Sequence, residues 1–147
     1  MDEVWATAMV VSGGLFAGGL MSIAVERVPA WRGSDITGFR VDFAHTVRRV
    51  DRLQPALLSI SLVSTIGFGI ATTGAARTLA TLAAAGFLLI LVGSLAWLVP
   101  IQRTLKSDSE LPRAALEGLR TRWVRGHLFR TVAGVAVFVL IVVATTI

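Results

Sequence analysis

Cysteine is absent from this chain, which excludes disulfides, thiolate metal centres and cysteine nucleophiles. Charge is absent from the middle of every long apolar run. That argues against a proton-coupled transporter, whose ion pathway normally needs an intramembrane carboxylate. Small four-span multidrug exporters fit the length but match less well, because the first run carries no acidic residue before Glu26. No Gly-rich phosphate loop follows a strand and no G-x-S-x-G elbow occurs, so two common signatures of nucleotide and hydrolase chemistry are missing. The N-terminus, Met1-Asp2-Glu3, is acidic and lacks the basic n-region of a signal peptide. The first apolar run is therefore expected to be a retained span.

What is present is apolar sequence. Of 147 residues, 54% are hydrophobic, and the mean hydropathy of +0.75 belongs to membrane rather than globular proteins. The length holds four spans with short connections, hence a single integral membrane domain over 1–147. The expected fold is an all-α membrane protein, a four-transmembrane-helix bundle with spans at about 4–25, 55–74, 78–100 and 122–146. The last is the most distinctive. From Thr131 to Ile147 the chain is uncharged and apolar on every face, covering about 26 Å at 1.5 Å per residue.

The first span is rich in small residues, including a G-x-x-x-G pair at Gly14 and Gly18. Such a face lets another helix approach closely, either within the bundle or in a homo-oligomer. Pro29 is expected to end that helix, since proline disfavours helix in the residue before it. Phe39, Phe43, Val47, Val50 and Leu53 then share one face of a helical pattern, with Arg40, His45, Arg48, Asp51 and Arg52 opposite. This predicts an amphipathic interfacial helix between spans one and two. Thr72-Thr73-Gly74 and Arg77 mark a tight hairpin. Ile101–Gly118 reads as a polar loop, with a short helix from about Arg113 leading into the fourth span.

The isoelectric point near 11.5 does not indicate nucleic acid, because the basic residues flank apolar spans. Of the 14 Lys and Arg residues, all but Arg77 fall in the first connection, the third loop or the base of the fourth span. Alternating spans put those segments on one side. The positive-inside rule then places the polar loops in the cytoplasm and both termini outside the inner membrane. Trp31, Trp97 and Trp123 would belt the cytoplasmic interface and Trp5 the other.

Topology alone collects Glu26, Asp35, Asp42, His45, Gln102, His127 and Arg130 at the basic end. Trp123, His127 and Arg130 are spaced i, i+4 and i+7, along one side of a helix where hydrocarbon begins. An imidazole there can act as acid or base near neutral pH, and an adjacent guanidinium can hold an anion where water is scarce. The bland readings stand beside these: Arg130 snorkelling to headgroups, His127 satisfying a carbonyl, His45 solvated, and Glu26 in an interfacial ion pair with Arg27. A bound metal is left open, with His127, His45 and Glu26 as its donors, although two histidines outside H-x-x-x-H or E-x-x-H spacing make a poor ligand signature.

The order of these features resembles a known family. Phe16-Ala17-Gly18-Gly19 and the exit Glu26-Arg27-Val28-Pro29 come first, followed by the amphipathic connection from Phe39 to Pro55. The third span closes Val99-Pro100-Ile101-Gln102-Arg103-Thr104-Leu105, and Trp123-x-x-x-His127-x-x-Arg130 opens the fourth. Together they resemble the four-span membrane family that includes the fungal anthrone oxygenases. One departure is Gln102, where many relatives carry Asn. The resemblance implies O2-dependent oxidation of a small lipophilic polyketide-type aromatic, with His127 and Arg130 as the catalytic pair. Trp123, Gln102, Arg103, Glu26 and His45 would be its substrate-binding neighbours. It requires no flavin or haem, since an anthrone's own anion can reduce O2. The alternative from the residues alone is a non-enzymatic four-span protein that binds lipid or a membrane partner.

Overall fold

In a computed structural model of the chain, which describes residues 2–50, 52–107 and 110–147, the protein is all-helical among the described residues. Four helical segments are long and apolar enough to cross a membrane: Asp2–Gly33, Leu53–Ala71, Gly74–Lys106 and Arg113–Ala144. Met1, Asp51, Asp108 and Ser109 lie outside the described residues.

The first and third segments are longer than the sequence pattern implies, because each passes through a π-helical turn. Helix α1 (Asp2–Ser22) runs into a π turn at Ile23–Arg27 and on into α2 (Val28–Gly33). Helix α5 (Gly74–Gly93) runs through a π turn at Ser94–Leu98 into α6 (Val99–Lys106). Contrary to the sequence expectation, Pro29 does not end the first helix; it sits in the first turn of α2, directly after the π turn. Pro100 does the same in α6. In each case the wide turn just before the proline takes up the disruption. Val28 N–H bonds Ile23 O and Val99 N–H bonds Ser94 O, both five residues back.

Helix α3 (Ile36–Val50) is the predicted amphipathic element, burying Phe39, Phe43 and Val47. Helix α4 (Leu53–Ala71) is the second span. The expected short lead-in helix and the fourth span are one continuous helix, α7 (Arg113–Ala144). Neighbours around the bundle run α1, α4, α5, α7 and back to α1. Between α4 and α5, Gly74 takes a φ of +63° that other residues rarely adopt. Arg77 closes the hairpin by donating Nε to Gly69 O (3.0 Å) and a terminal nitrogen to Ile70 O (3.3 Å), so two carbonyls at the α4 terminus gain partners.

Two separate hydrophobic clusters fill the interior. The first, deep in the bundle, includes Met9, Phe16, Leu20, Leu58, Phe87, Val137 and Ile141. The second, at the basic end, joins Trp31, Phe39, Phe43, Leu105 and Trp123 from α2, α3, α6 and α7. Its rings meet edge to face: Trp31 lies 5.4 Å from Phe43 and 5.6 Å from Trp123, the geometry that aromatic quadrupoles favour. Trp31 and Trp123 are thus buried core residues, and only Trp97 of the expected belt at this end is well exposed. For Trp31 the reason is polar: its Nε1 donates to Asp42 Oδ2 at 2.6 Å, so that indole needs no interfacial water. Arg120 fastens the α2–α3 corner, donating to Trp31 O (3.0 Å) and Ser34 O (2.8 Å). Arg40 ties α3 to the end of α6 through Leu105 O and Ser107 O.

The small residues of α1 work within the bundle, though not all at the expected positions. A Cβ on Gly13 would come 2.6 Å from Ile141 Cδ1, and one on Gly14 would come 3.2 Å from Phe138. At Gly18 nothing lies within 4 Å. The close approach to α7 is made at Gly13 and Gly14.

Candidate active site

A polar layer lies between the two hydrophobic clusters, and all four long helical segments contribute to it. Its centre is His127, fully buried on α7. His127 Nε2 lies 3.2 Å from Leu20 O on α1, and its Nδ1 lies 3.1 Å from a terminal nitrogen of Arg130. These two contacts fix the tautomer. A carbonyl only accepts and a guanidinium only donates, so Nε2 carries the hydrogen and Nδ1 offers its lone pair to Arg130. Trp123, one turn earlier, stacks on the imidazole with centroids 5.0 Å apart and planes 4° from parallel. Thr131, one turn later, bonds the His127 carbonyl at 2.9 Å.

Arg130 reaches across to α5, where another terminal nitrogen lies 3.4 Å from Ser94 Oγ. Ser94 is the first residue of the second π turn. The fourth contribution comes from Gln54 near the start of α4, whose amide packs directly on Gly19 of α1, one residue before the carbonyl that holds His127. Gln54–Gly19–Leu20–His127–Arg130–Ser94 is thus a continuous chain of contacts across the bundle.

This layer is incompletely satisfied. Buried Trp123 Nε1, Arg130 Nε and Gln54 Oε1 have no hydrogen-bond partner among the described residues. Each such group costs about 1–3 kcal/mol when closed off from water, and unpaired buried polar groups concentrate where a ligand or a reaction uses them. The inventory is specific: two N–H donors and one carbonyl acceptor, each one contact from His127 or from the backbone that holds it.

Of the sequence-derived candidates, the structure brings together Trp123, His127 and Arg130. Glu26, His45 and Arg103 are exposed, and Gln102 is half-buried on α6. The ion pair made by Arg27 is with Asp42, at 3.5 Å, rather than with Glu26. Among the described residues no three of His, Asp and Glu converge as a metal-binding group, so His127, His45 and Glu26 do not form one. Gln54, Ser94 and the Leu20 carbonyl join the site unannounced. Their sequence signals are slight: an amide beside Pro55, a hydroxyl in an otherwise apolar run, and two Val-Pro pairs at Val28-Pro29 and Val99-Pro100.

The site is closed. Two surface grooves of about 430 and 370 Å³ lie elsewhere, one between α4 and α5 beside Arg77 and one between α3, α6 and the start of α7. Within the layer, Arg130 and Ser94 at the α5–α7 seam and Gly19 of α1 are partly exposed.

The anthrone oxygenase family model matches residues 43–140, from the middle of α3 to near the end of α7. Gln54, Ser94, Trp123, His127 and Arg130 fall within the match, whereas Leu20 does not. No curated protein and no solved structure matches the chain.

Proposed function

The chain belongs to the anthrone oxygenase family, and on that premise we propose that it is a membrane oxidoreductase using O2 to oxidise a small, electron-rich, lipophilic aromatic at the His127 layer. The observation that carries this reading is the buried imidazole held in one tautomer, its Nδ1 lone pair turned toward Arg130. A base and an anion stabiliser side by side are what an enolisable aryl ketone needs.

For an anthrone, the sequence balances without flavin, haem or metal. As the substrate enters along the α5–α7 seam, the guanidinium turns from Nδ1 to the ring carbonyl oxygen. The freed Nδ1 takes one proton from the ring methylene. The resulting anthrolate, its oxygen held by Arg130 and Trp123 Nε1, passes one electron to O2. The radical pair then joins through a new C–O bond at the former methylene carbon. Loss of the remaining C–H proton with cleavage of the O–O bond leaves the second carbonyl. The departing oxygen takes the imidazolium proton and that C–H proton and leaves as water. One substrate and one O2 thus give one quinone and one H2O. Neutral Nδ1 is regenerated, and Arg130 returns to it.

The basic cap, in the same proposal, faces the cytoplasm, where the positive-inside rule puts it. Oxygen uptake with anthrone, measured per folded molecule of detergent-purified protein, tests the roles. His127→Ala is expected to lower the rate by roughly 10²–10⁴, the usual weight of general-base catalysis. Arg130→Lys is expected to lower it too, because a point charge does not reproduce a planar fork. Equal rates in wild type and both variants would remove the assigned roles.

A further inference from the structure

The end of the bundle away from the basic cap carries a single basic side chain. Of the 14 Lys and Arg residues, Arg77 alone lies there, at the α4–α5 hairpin. It stands at the mouth of the groove of about 430 Å³ between those two helices. The groove exists because the residues facing each other are small. A Cβ on Gly69 would touch Ala80 Cβ at 3.4 Å, so the two helices meet there and form the floor. Ile66 and Ile70, 46% and 74% exposed, stand along α4 as one wall. From Arg77 the lining runs down α5 to Ala84, about 10 Å at 1.5 Å per residue. Both helices belong to segments apolar enough to span a bilayer. What the groove meets there is hydrocarbon, and an unfilled slot forfeits dispersion contacts along its lining.

Arg77 is held but not neutralised. Its Nε and one terminal nitrogen donate to Gly69 O and Ile70 O, which occupies two of the five N–H donors of a guanidinium. Among the described residues no carboxylate pairs with it. A neutral donor could cap the same carbonyls; what only a cation adds is charge, left at the edge of an apolar slot. The remaining N–H groups include one from each terminal nitrogen, the parallel fork that fits two phosphate oxygens. The matching molecule is negative at one end and apolar along the rest. We propose that this groove binds one phospholipid of net negative charge, its phosphate on Arg77 and the upper part of one acyl chain between α4 and α5. Inorganic phosphate leaves the groove empty, and a neutral lipid leaves the charge unpaired. In a zwitterionic lipid the headgroup's own cation competes for the phosphate, so net charge decides the preference. The site is at the opposite end of α5 from Ser94 and is independent of the chemistry proposed for the His127 layer.

The test uses the full chain in lipid nanodiscs, where the absence of cysteine permits a single fluorescent reporter. Ile70→Cys on the groove wall carries a bimane in one preparation. Val143→Cys, on α7 near the same end and 41% exposed, carries it in a second. The discs are phosphatidylcholine with a small fraction of phosphatidylglycerol, and a nitroxide on the upper acyl chain of one lipid or the other quenches the dye. Phosphatidylglycerol is expected to be enriched roughly tenfold beside position 70, the weight of a hydrogen bond to a charged group, and not beside position 143. Arg77→Gln is expected to remove the enrichment. Ala84→Leu leaves Arg77 and its two bonds in place but fills the lower groove, and should lower the enrichment roughly threefold through lost chain contacts. The basic cap is the same in every variant, so its own attraction for anionic lipid cancels. Melting in detergent shows which variants fold, and either substitution decides alone if the other does not. Equal enrichment at the two positions, or enrichment undiminished by substitution, overturns the proposal, because the groove is then ordinary lipid-facing surface. Loss of enrichment with inorganic phosphate, against chloride at equal ionic strength, also overturns it, because the site then takes a free anion.

Discussion

A double-mutant cycle at Gly13 and Ile141 tests the seam on which the site rests, because α1 supplies the Leu20 carbonyl and α7 supplies His127. Alanine at Gly13 gains up to about 1 kcal/mol in helix propensity. Its methyl, however, would lie 2.6 Å from Ile141 Cδ1, well inside van der Waals contact. Ile141 is fully buried, so that methyl has little room to retreat, and overpacking of this kind costs about 1–3 kcal/mol. Gly13→Ala should therefore destabilise by up to about 2 kcal/mol. Ile141→Val alone should cost about 0.5–1.5 kcal/mol. Valine lacks the one atom that clashes, so in the double variant the Gly13→Ala penalty disappears and its helical gain remains. The expected coupling is about 1–3 kcal/mol in favour of the double variant. Thermal unfolding in a single detergent, with Gly18→Ala as the control, measures it. Nothing lies within 4 Å of a Cβ at Gly18, so that control should match or exceed wild type. Additivity within about 0.5 kcal/mol across the cycle would refute the close approach of α1 and α7.

Other outcomes follow from particular bonds. Trp31→Phe removes the 2.6 Å bond to Asp42 and should destabilise by about 1.5–3 kcal/mol, the range for hydrogen bonds to charged groups; Asp42→Asn should recover part of this in the double variant, read by melting temperature. Arg120→Met takes the guanidinium donor from Ser34 O and leaves Trp31 O only the Ser34 hydroxyl, and hydrogen exchange should quicken at the α2–α3 corner but not in α4 or α5. Gly74→Ala strains a φ of +63° and should cost about 1 kcal/mol, the usual penalty for an L-residue there. Reporter fusions after Gly74 and after Ile147 should both report the extracytoplasmic side, and a cytoplasmic signal from either would reverse the assigned orientation.

Much of this architecture was legible in the chain, and what was not has identifiable causes. Long uncharged runs marked the four spans because hydrocarbon excludes charge. Phe39, Phe43 and Val47 marked the buried face of α3 because their spacing has the helical period. The Trp123, His127 and Arg130 grouping was readable because all three lie on one helix, where spacing is geometry. Gln54 and Ser94 were not, since their partners come from other helices and nothing local distinguishes them. The Leu20 carbonyl could not be seen at all, because a backbone atom leaves no mark on side-chain identity. The π turns escaped for a related reason: buried Ile23 and Val28 stand five apart, an interval that reads as noise against a 3.6-residue period. Gly18 misled because G-x-x-x-G spacing does not say which way the face looks.

The position of the polar layer between two apolar clusters has a consequence for how the protein is supplied. Both clusters close the bundle along its axis, and the partly exposed side chains of Arg130 and Ser94 carry the layer to the outside through the α5–α7 seam. That seam belongs to segments apolar enough to span a bilayer. A ligand coming by this route is drawn from the surrounding hydrocarbon, and what governs occupancy is its mole fraction in the lipid rather than its concentration in water. Half-saturation stated in molar units of buffer would then vary with the amount of detergent or lipid in the tube. Surface dilution at fixed total ligand would look like competitive inhibition by an inert amphiphile.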